Sequence, residues 1–224
     1  MFFLYALISL VFLYLTYSQM TKELSRLIHR LGGNQNILVW VWSLIFLPGT
    51  VIHELSHFLA ATATGTRTGK IEIFPEYLED SVGGKRHVAL GYVQVASMNP
   101  LQGFIVGIAP LVTGIILLVW LAPMIVTHYY SGDTLLLFLK TYLFFTVANS
   151  LFPSWSDVKQ TIPLVIITLI ILVIAWFFGF RFLVGSSLHT QAILTSISQT
   201  LLFSGLLNLV IIGLLFLSSW KLRR

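Results

Sequence analysis

The chain has 224 residues, of which 57% are hydrophobic and only 9% charged, with a mean hydropathy of +0.90 and a formal net charge of +5. A soluble domain carries about 25% charged residues and a disordered chain needs low hydrophobicity; both are excluded, leaving an integral membrane protein made mostly of helices. The positive balance sits in loops and ends and speaks for membrane topology rather than nucleic acid, and with no cysteine there is no disulfide, thiolate metal site or cysteine nucleophile.

Hydropathy predicts six spans. The first, Phe2–Met20, lacks a basic leader and a small-x-small cleavage site, and is read as a retained helix. The second, Ile37–Thr64, contains Pro48 and Gly49. Between it and the third span lies a charged connection, residues 66–100, with two alternating stretches, Lys70–Phe74 and Val88–Val95, separated by Pro75 and Gly83-Gly84. Period-two patterning with turn residues between predicts a β-hairpin-like element, which must be buried in protein or lie at the water interface. The third span is Gly103–Val126, where Gly103 and Gly107 have the small-xxx-small spacing of close helix packing. The fourth is Leu135–Phe152, extending towards Asp157; the fifth is Ile162–Phe180; the sixth is Ala192–Trp220, long enough to tilt. No internal repeat or low-complexity tract is evident.

With both termini cytoplasmic, Arg67, Lys70, Lys85, Arg86, Lys159, Lys221, Arg223 and Arg224 fall inside, and Lys22, Arg26, Arg30 and Arg181 outside. The excess favours that orientation, although the basic run after the first span opposes it.

Of the acidic residues, Glu54 and Asp157 belong to strongly apolar surroundings. Glu54 lies in His53-Glu54-Leu55-Ser56-His57. Ionisable side chains in a span are costly and mark function. Histidines four apart project from one helical face, so His53 and His57 can bind one cation; two imidazoles suit zinc, and the adjacent glutamate can serve as general base. This composition yields such a pentamer by chance about 0.004 times per chain. A packing cluster or a transported-ion site are the rival readings. A catalytic zinc needs a third protein ligand. Asp157 either begins an exposed loop or supplies that ligand, because spans two and four run in the same direction and Pro153 breaks the latter. His29, His87, His128 and His189 lack motif spacing and are read as loop or interface residues; the tryptophans other than Trp155 are read as interface anchors or lipid-facing bulk.

Taken together, these residues resemble the site-2 protease family of intramembrane zinc metalloproteases. His53-Glu54-Leu55-Ser56-His57 is similar to its HExxH helix, Leu90-Gly91-Tyr92-Val93 to its glycine-containing strand, and Gly107-Ile108-Ala109-Pro110 to its small-Gly-Pro motif. Asn149, Pro153 and Asp157 are similar to its Asn-Pro…Asp motif. Departures are Val158 where the family has glycine, an Asn-to-Pro spacing one residue longer, and Ala109 for a common glycine. The resemblance covers a core of residues 36–160 in a single membrane-embedded domain, 1–224, flanked by helices 1–20 and 162–220.

Hydropathy gives an all-α membrane fold of about six helices in the lipid bilayer, the oligomeric state is left open with a monomer expected to function, and the resemblance implies a zinc endopeptidase acting on transmembrane protein segments. His53, His57 and Asp157 would hold Zn2+, and Glu54 would be the general base. Asn149 would hold substrate backbone or the oxyanion, or else merely pack span four. Gly91, Tyr92 and Val93 would offer an edge to an extended substrate, unless the hairpin only plugs the cleft. A metal-ion transporter and a catalytically silent scaffold are the alternatives; the first lacks a ladder of ionisable residues in the other spans.

Overall fold

A computed structural model describes residues 2–74, 76–79, 86–89, 91–177 and 188–221. Among them are six helices: α1 (Phe2–Arg30), α2 (Gln35–Ala63), α3 (Pro100–Ser131), α4 (Thr134–Asn149), α5 (Trp155–Phe177) and α6 (Leu188–Lys221). Four short strands lie between α2 and α3: β1 (Thr68–Glu72), β2 (Glu76–Glu79), β3 (Arg86–Ala89) and β4 (Tyr92–Val95). Five of the helices are long and apolar enough to cross a membrane; the sixth, α4, has 16 residues. At 1.5 Å per residue α4 rises about 24 Å, short of a bilayer's hydrocarbon core. The chain is a multi-pass membrane protein.

The elements follow local chemistry. Asn34 caps α2 by accepting from the Ile37 N–H at 3.0 Å. Asn99 and Gln102 form a reciprocal capping box at the start of α3, with Pro100 in its first turn. Gly132, at φ 74°, ends α3 in the left-handed region, and Asp133 at once caps α4. The α3–α4 connection is therefore tight, and the two helices pack side by side.

Expectation and structure part at two places. The first helix runs past Met20 to Arg30, carrying Lys22, Arg26 and Arg30 on continuous helix. The fourth stops at Asn149, not Phe152, and Asp157 belongs to the first turn of α5, which starts well before Ile162. Pro153 has no N–H to continue the ladder, and Ser154 restarts it: the Asp157 N–H approaches Ser154 Oγ at 3.3 Å while Asp157 Oδ2 accepts from the Ser154 N–H at 2.7 Å. The expected hairpin between α2 and α3 is present, and it is built of two ladders. β1 pairs antiparallel with β4, Ile71 opposite Val93 and Glu72 opposite Tyr92, and β2 pairs with β3. Val88–Val95 is interrupted at Gly91; Pro75, Gly83-Gly84 and Leu90 lie outside the described residues, as do Lys85, Arg181, Arg223 and Arg224.

Lipid tails are as apolar as leucine, so helices here are held by close packing and hydrogen bonds. The outer helices α1 and α6 pair most extensively. A methyl at Gly205 would come within 2.5 Å of the Phe12 ring, so any side chain there would displace that ring. Buried Ser9, Thr16, Ser198 and Ser204 return their hydroxyls to carbonyls of their own helices, so none of these four leaves a bare donor in the seam. Inside, Leu118, Leu121, Phe144, Val147 and Leu151 form the main apolar cluster. Gly103 and Gly107 let α3 lie against α5: a Cβ at Gly103 would meet the Gln160 carbonyl at 3.0 Å, and one at Gly107 the Asp157 carbonyl at 2.9 Å. Gly49 plays the same part between α2 and α4, where a Cβ would overlap the Thr146 carbonyl.

Candidate metal centre

His53 and His57 sit one turn apart on α2, with rings at 78° and centroids 4.9 Å apart. The close α2–α4 crossing at Gly49 brings His53 to the end of α4, where its Nδ1 lies 2.6 Å from the Ser150 carbonyl. His57 Nδ1 lies 2.8 Å from the Val106 carbonyl of α3. A carbonyl only accepts, so each Nδ1 carries the proton, and in the neutral ring Nε2 presents a bare lone pair.

Asp157 completes the group from α5. Its Oδ1 stands 3.3 Å from His57 Nε2 and its Oδ2 3.8 Å from His53 Nε2. Ser154 fixes the carboxylate, donating its N–H at 2.7 Å and its hydroxyl at 2.6 Å to Oδ2. One ligand atom from each of His53, His57 and Asp157 lies within 4.8 Å of the others, and His57 and Asp157 are buried.

Three lone-pair donors thus face one another in a buried space, which is unfavourable unless a cation or proton lies among them. Ligands around a tetrahedral zinc stand about 3.3 Å apart, which the His57–Asp157 distance of 3.3 Å matches, while the His53–Asp157 distance of 3.8 Å is longer. Both imidazoles and the carboxylate also carry the outer hydrogen bonds that orient metal ligands. The residues fit a divalent cation.

Glu54 is buried, borders the same cavity of about 150 Å³, and is not one of the three converging donors. Among the described residues no hydrogen bond to its carboxylate is found, so its oxygens remain available to whatever enters. Gly91 permits this placement: a Cβ there would stand 3.0 Å from Glu54 Cγ and 3.1 Å from Oε1. Tyr92 and Val93 line the cavity beside it.

Asn149 is elsewhere. It is buried at the end of α4 but does not line the cavity. Its Nδ2 donates to the Phe145 carbonyl at 2.8 Å and to Asn208 Oδ1 at 3.0 Å, while its Oδ1 accepts from Asn208 Nδ2 at 2.8 Å. A side chain so occupied packs α4 against α6, which is the second of the two roles the sequence allowed it.

Gln160 escaped the reading of the sequence. It lines this cavity and also a neighbouring one of about 370 Å³ that continues past Val95 to Asn99 and Pro163. Its position three residues after Asp157 puts both on one helical face, a signal available only once α5 is known to begin before Asp157. Trp155 follows Ser154 in the chain, but its side chain is outside the described residues. Of the other histidines, His128 contacts Lys140 Nζ at 2.8 Å far from the site, His29 and His189 are exposed, and the side chain of His87 is not described.

No protein-family model, no curated protein and no solved structure matches the chain.

Proposed function

We propose that the chain is a zinc endopeptidase of the site-2 protease kind, hydrolysing peptide bonds in or beside transmembrane segments of other membrane proteins. One observation carries the reading: a carboxylate from α5 meets the Nε2 atoms of a His-Glu-x-x-His helix at 3.3 and 3.8 Å, with the glutamate facing the same cavity. Zinc suits this two-nitrogen, one-oxygen donor set and, when bound, supplies a Lewis acid that acidifies water and polarises a carbonyl.

The chain's own residues would do the rest. A substrate helix hides its peptide groups in internal hydrogen bonds and must unwind to be cut. The Gly91–Val93 backbone beside the cavity offers an extended segment something to lie along. Glu54 accepts a proton from the attacking water at its carboxylate and delivers it to the leaving nitrogen. A cavity close to the β-strands admits water, in keeping with the orientation favoured by the charge count, both termini cytoplasmic. One chain supplies every ligand, so a monomer suffices. An ion-conducting role would use Glu54 as a ligand; its absence from the converging group counts against that role.

The test is cleavage of a transmembrane substrate by the purified protein, with and without chelator, for wild type and Glu54→Gln. Chelator-sensitive cleavage by wild type alone supports the reading; normal cleavage by Glu54→Gln overturns it.

A further inference from the structure

A larger cavity, about 550 Å³, lies away from the metal centre, between α1 and α2. Its wall on α1 includes Lys22, Ser25 and Arg26, and its wall on α2 includes Leu38 and Trp42. Lys22 and Arg26 are one turn apart. Lys22 is exposed and, among the described residues, has no ion pair. Arg26 pairs with Glu23, whose buried carboxylate also accepts from Gln19 Nε2 at 3.1 Å. One such bond leaves most of the guanidinium's five donors free. Ser25 Oγ is likewise without a hydrogen-bond partner among the described residues.

Depth in the bilayer fixes what meets this cavity. The apolar run Phe2–Met20 rises about 28 Å, close to a hydrocarbon core of about 30 Å. Lys22 and Arg26 follow directly and are separated by about 6 Å of rise, comparable to the thickness of one head-group layer. The cations therefore stand where lipid phosphates lie. Leu38 and the buried Trp42 provide apolar surface that a free anion would leave wet.

We infer that this cavity binds an anionic glycerophospholipid, its phosphate held by Lys22, Arg26 and Ser25 and its upper acyl chain lying against Leu38 and Trp42. Basic pockets between membrane helices recognise anionic head groups in this way. The site is independent of the metal centre and of any peptidase activity.

The test is native mass spectrometry of the full chain, reconstituted in equimolar phosphatidylglycerol and phosphatidylcholine. Wild type should retain phosphatidylglycerol in preference, and Lys22→Gln should lower that preference about fivefold, the effect of one cation at the lipid surface. Ser25→Leu, which fills the cavity without changing charge, should lower it too. Lys22→Arg should keep it, as should Lys70→Gln, which removes an exposed cation on β1. Equal losses in Lys22→Gln and Lys70→Gln, unchanged preference in both Lys22→Gln and Ser25→Leu, or displacement of the lipid by equimolar inorganic phosphate would overturn the proposal.

Discussion

Asn149 and Asn208 exchange two amide hydrogen bonds, at 3.0 and 2.8 Å, across 59 residues of sequence and deep inside the bundle. Asn208 is fully buried, and its Nδ2 also reaches Thr16 Oγ1 at 3.4 Å, so the pair ties α4, α6 and α1 together beside the carbonyl that orients His53. Removing one partner strands the other. Asn208→Ala should destabilise the protein by about 1–2 kcal/mol, and adding Asn149→Ala should cost less than the sum of the two single changes. A double-mutant cycle on thermal unfolding in detergent measures this; strict additivity would show the pair to be uncoupled.

Glu54→Gln removes the proposed proton acceptor and leaves His53, His57 and Asp157 in place. Bound zinc should stay at the wild-type ratio, and cleavage should fall by at least about a hundredfold. Metal analysis and a cleavage assay on one preparation distinguish this outcome from simple loss of the ion.

Ser154 acts through Asp157. Its hydroxyl donates to Oδ2 at 2.6 Å and receives the Asp157 N–H at 3.3 Å. Ser154→Ala should weaken zinc binding about 10- to 100-fold, the usual cost of losing an outer-sphere partner, and Asp157→Ala should weaken it more. Competition against a chromophoric chelator reads both. Full affinity in Asp157→Ala would remove that residue from the ligand set.

Gly91→Ala places a methyl 3.0 Å from both Glu54 Cγ and Thr50 Cγ2. One of these must move. If Glu54 is the base proposed above, cleavage should fall several-fold or more while zinc content stays constant, because the crowding reaches Glu54 and not His53, His57 or Asp157. Parallel loss of zinc would show that Gly91 supports the whole centre.

Much of this was legible beforehand, for reasons that also explain the misses. Long apolar runs report spans directly, and a His-Glu-x-x-His pentamer reports a site because both histidines lie on one helix. Asp157 was found as a residue but assigned to the wrong helix. Pro153 gave the break, but the restart directly after it was not read, although Ser154-Trp155-Ser156-Asp157 carries a capping-box spacing that marks a new helix. Gln160 was hidden by the same error. Asn149 stayed between two readings, substrate contact and packing, for a different reason: its partner, Asn208, lies two helices later, and nothing local in an apolar segment reveals which distant amide a buried asparagine will find.

The break between α4 and α5 also constrains how the protein is made. Residues 150–157 contain the carbonyl for His53, the serine that steadies Asp157 and Asp157 itself. A ribosome that has delivered only the first four helices to the bilayer has made both imidazoles without the carboxylate they face. The group of three is therefore assembled late, after α5 has entered and packed against α3, and a nascent chain halted earlier carries its two imidazoles without the carboxylate that faces them.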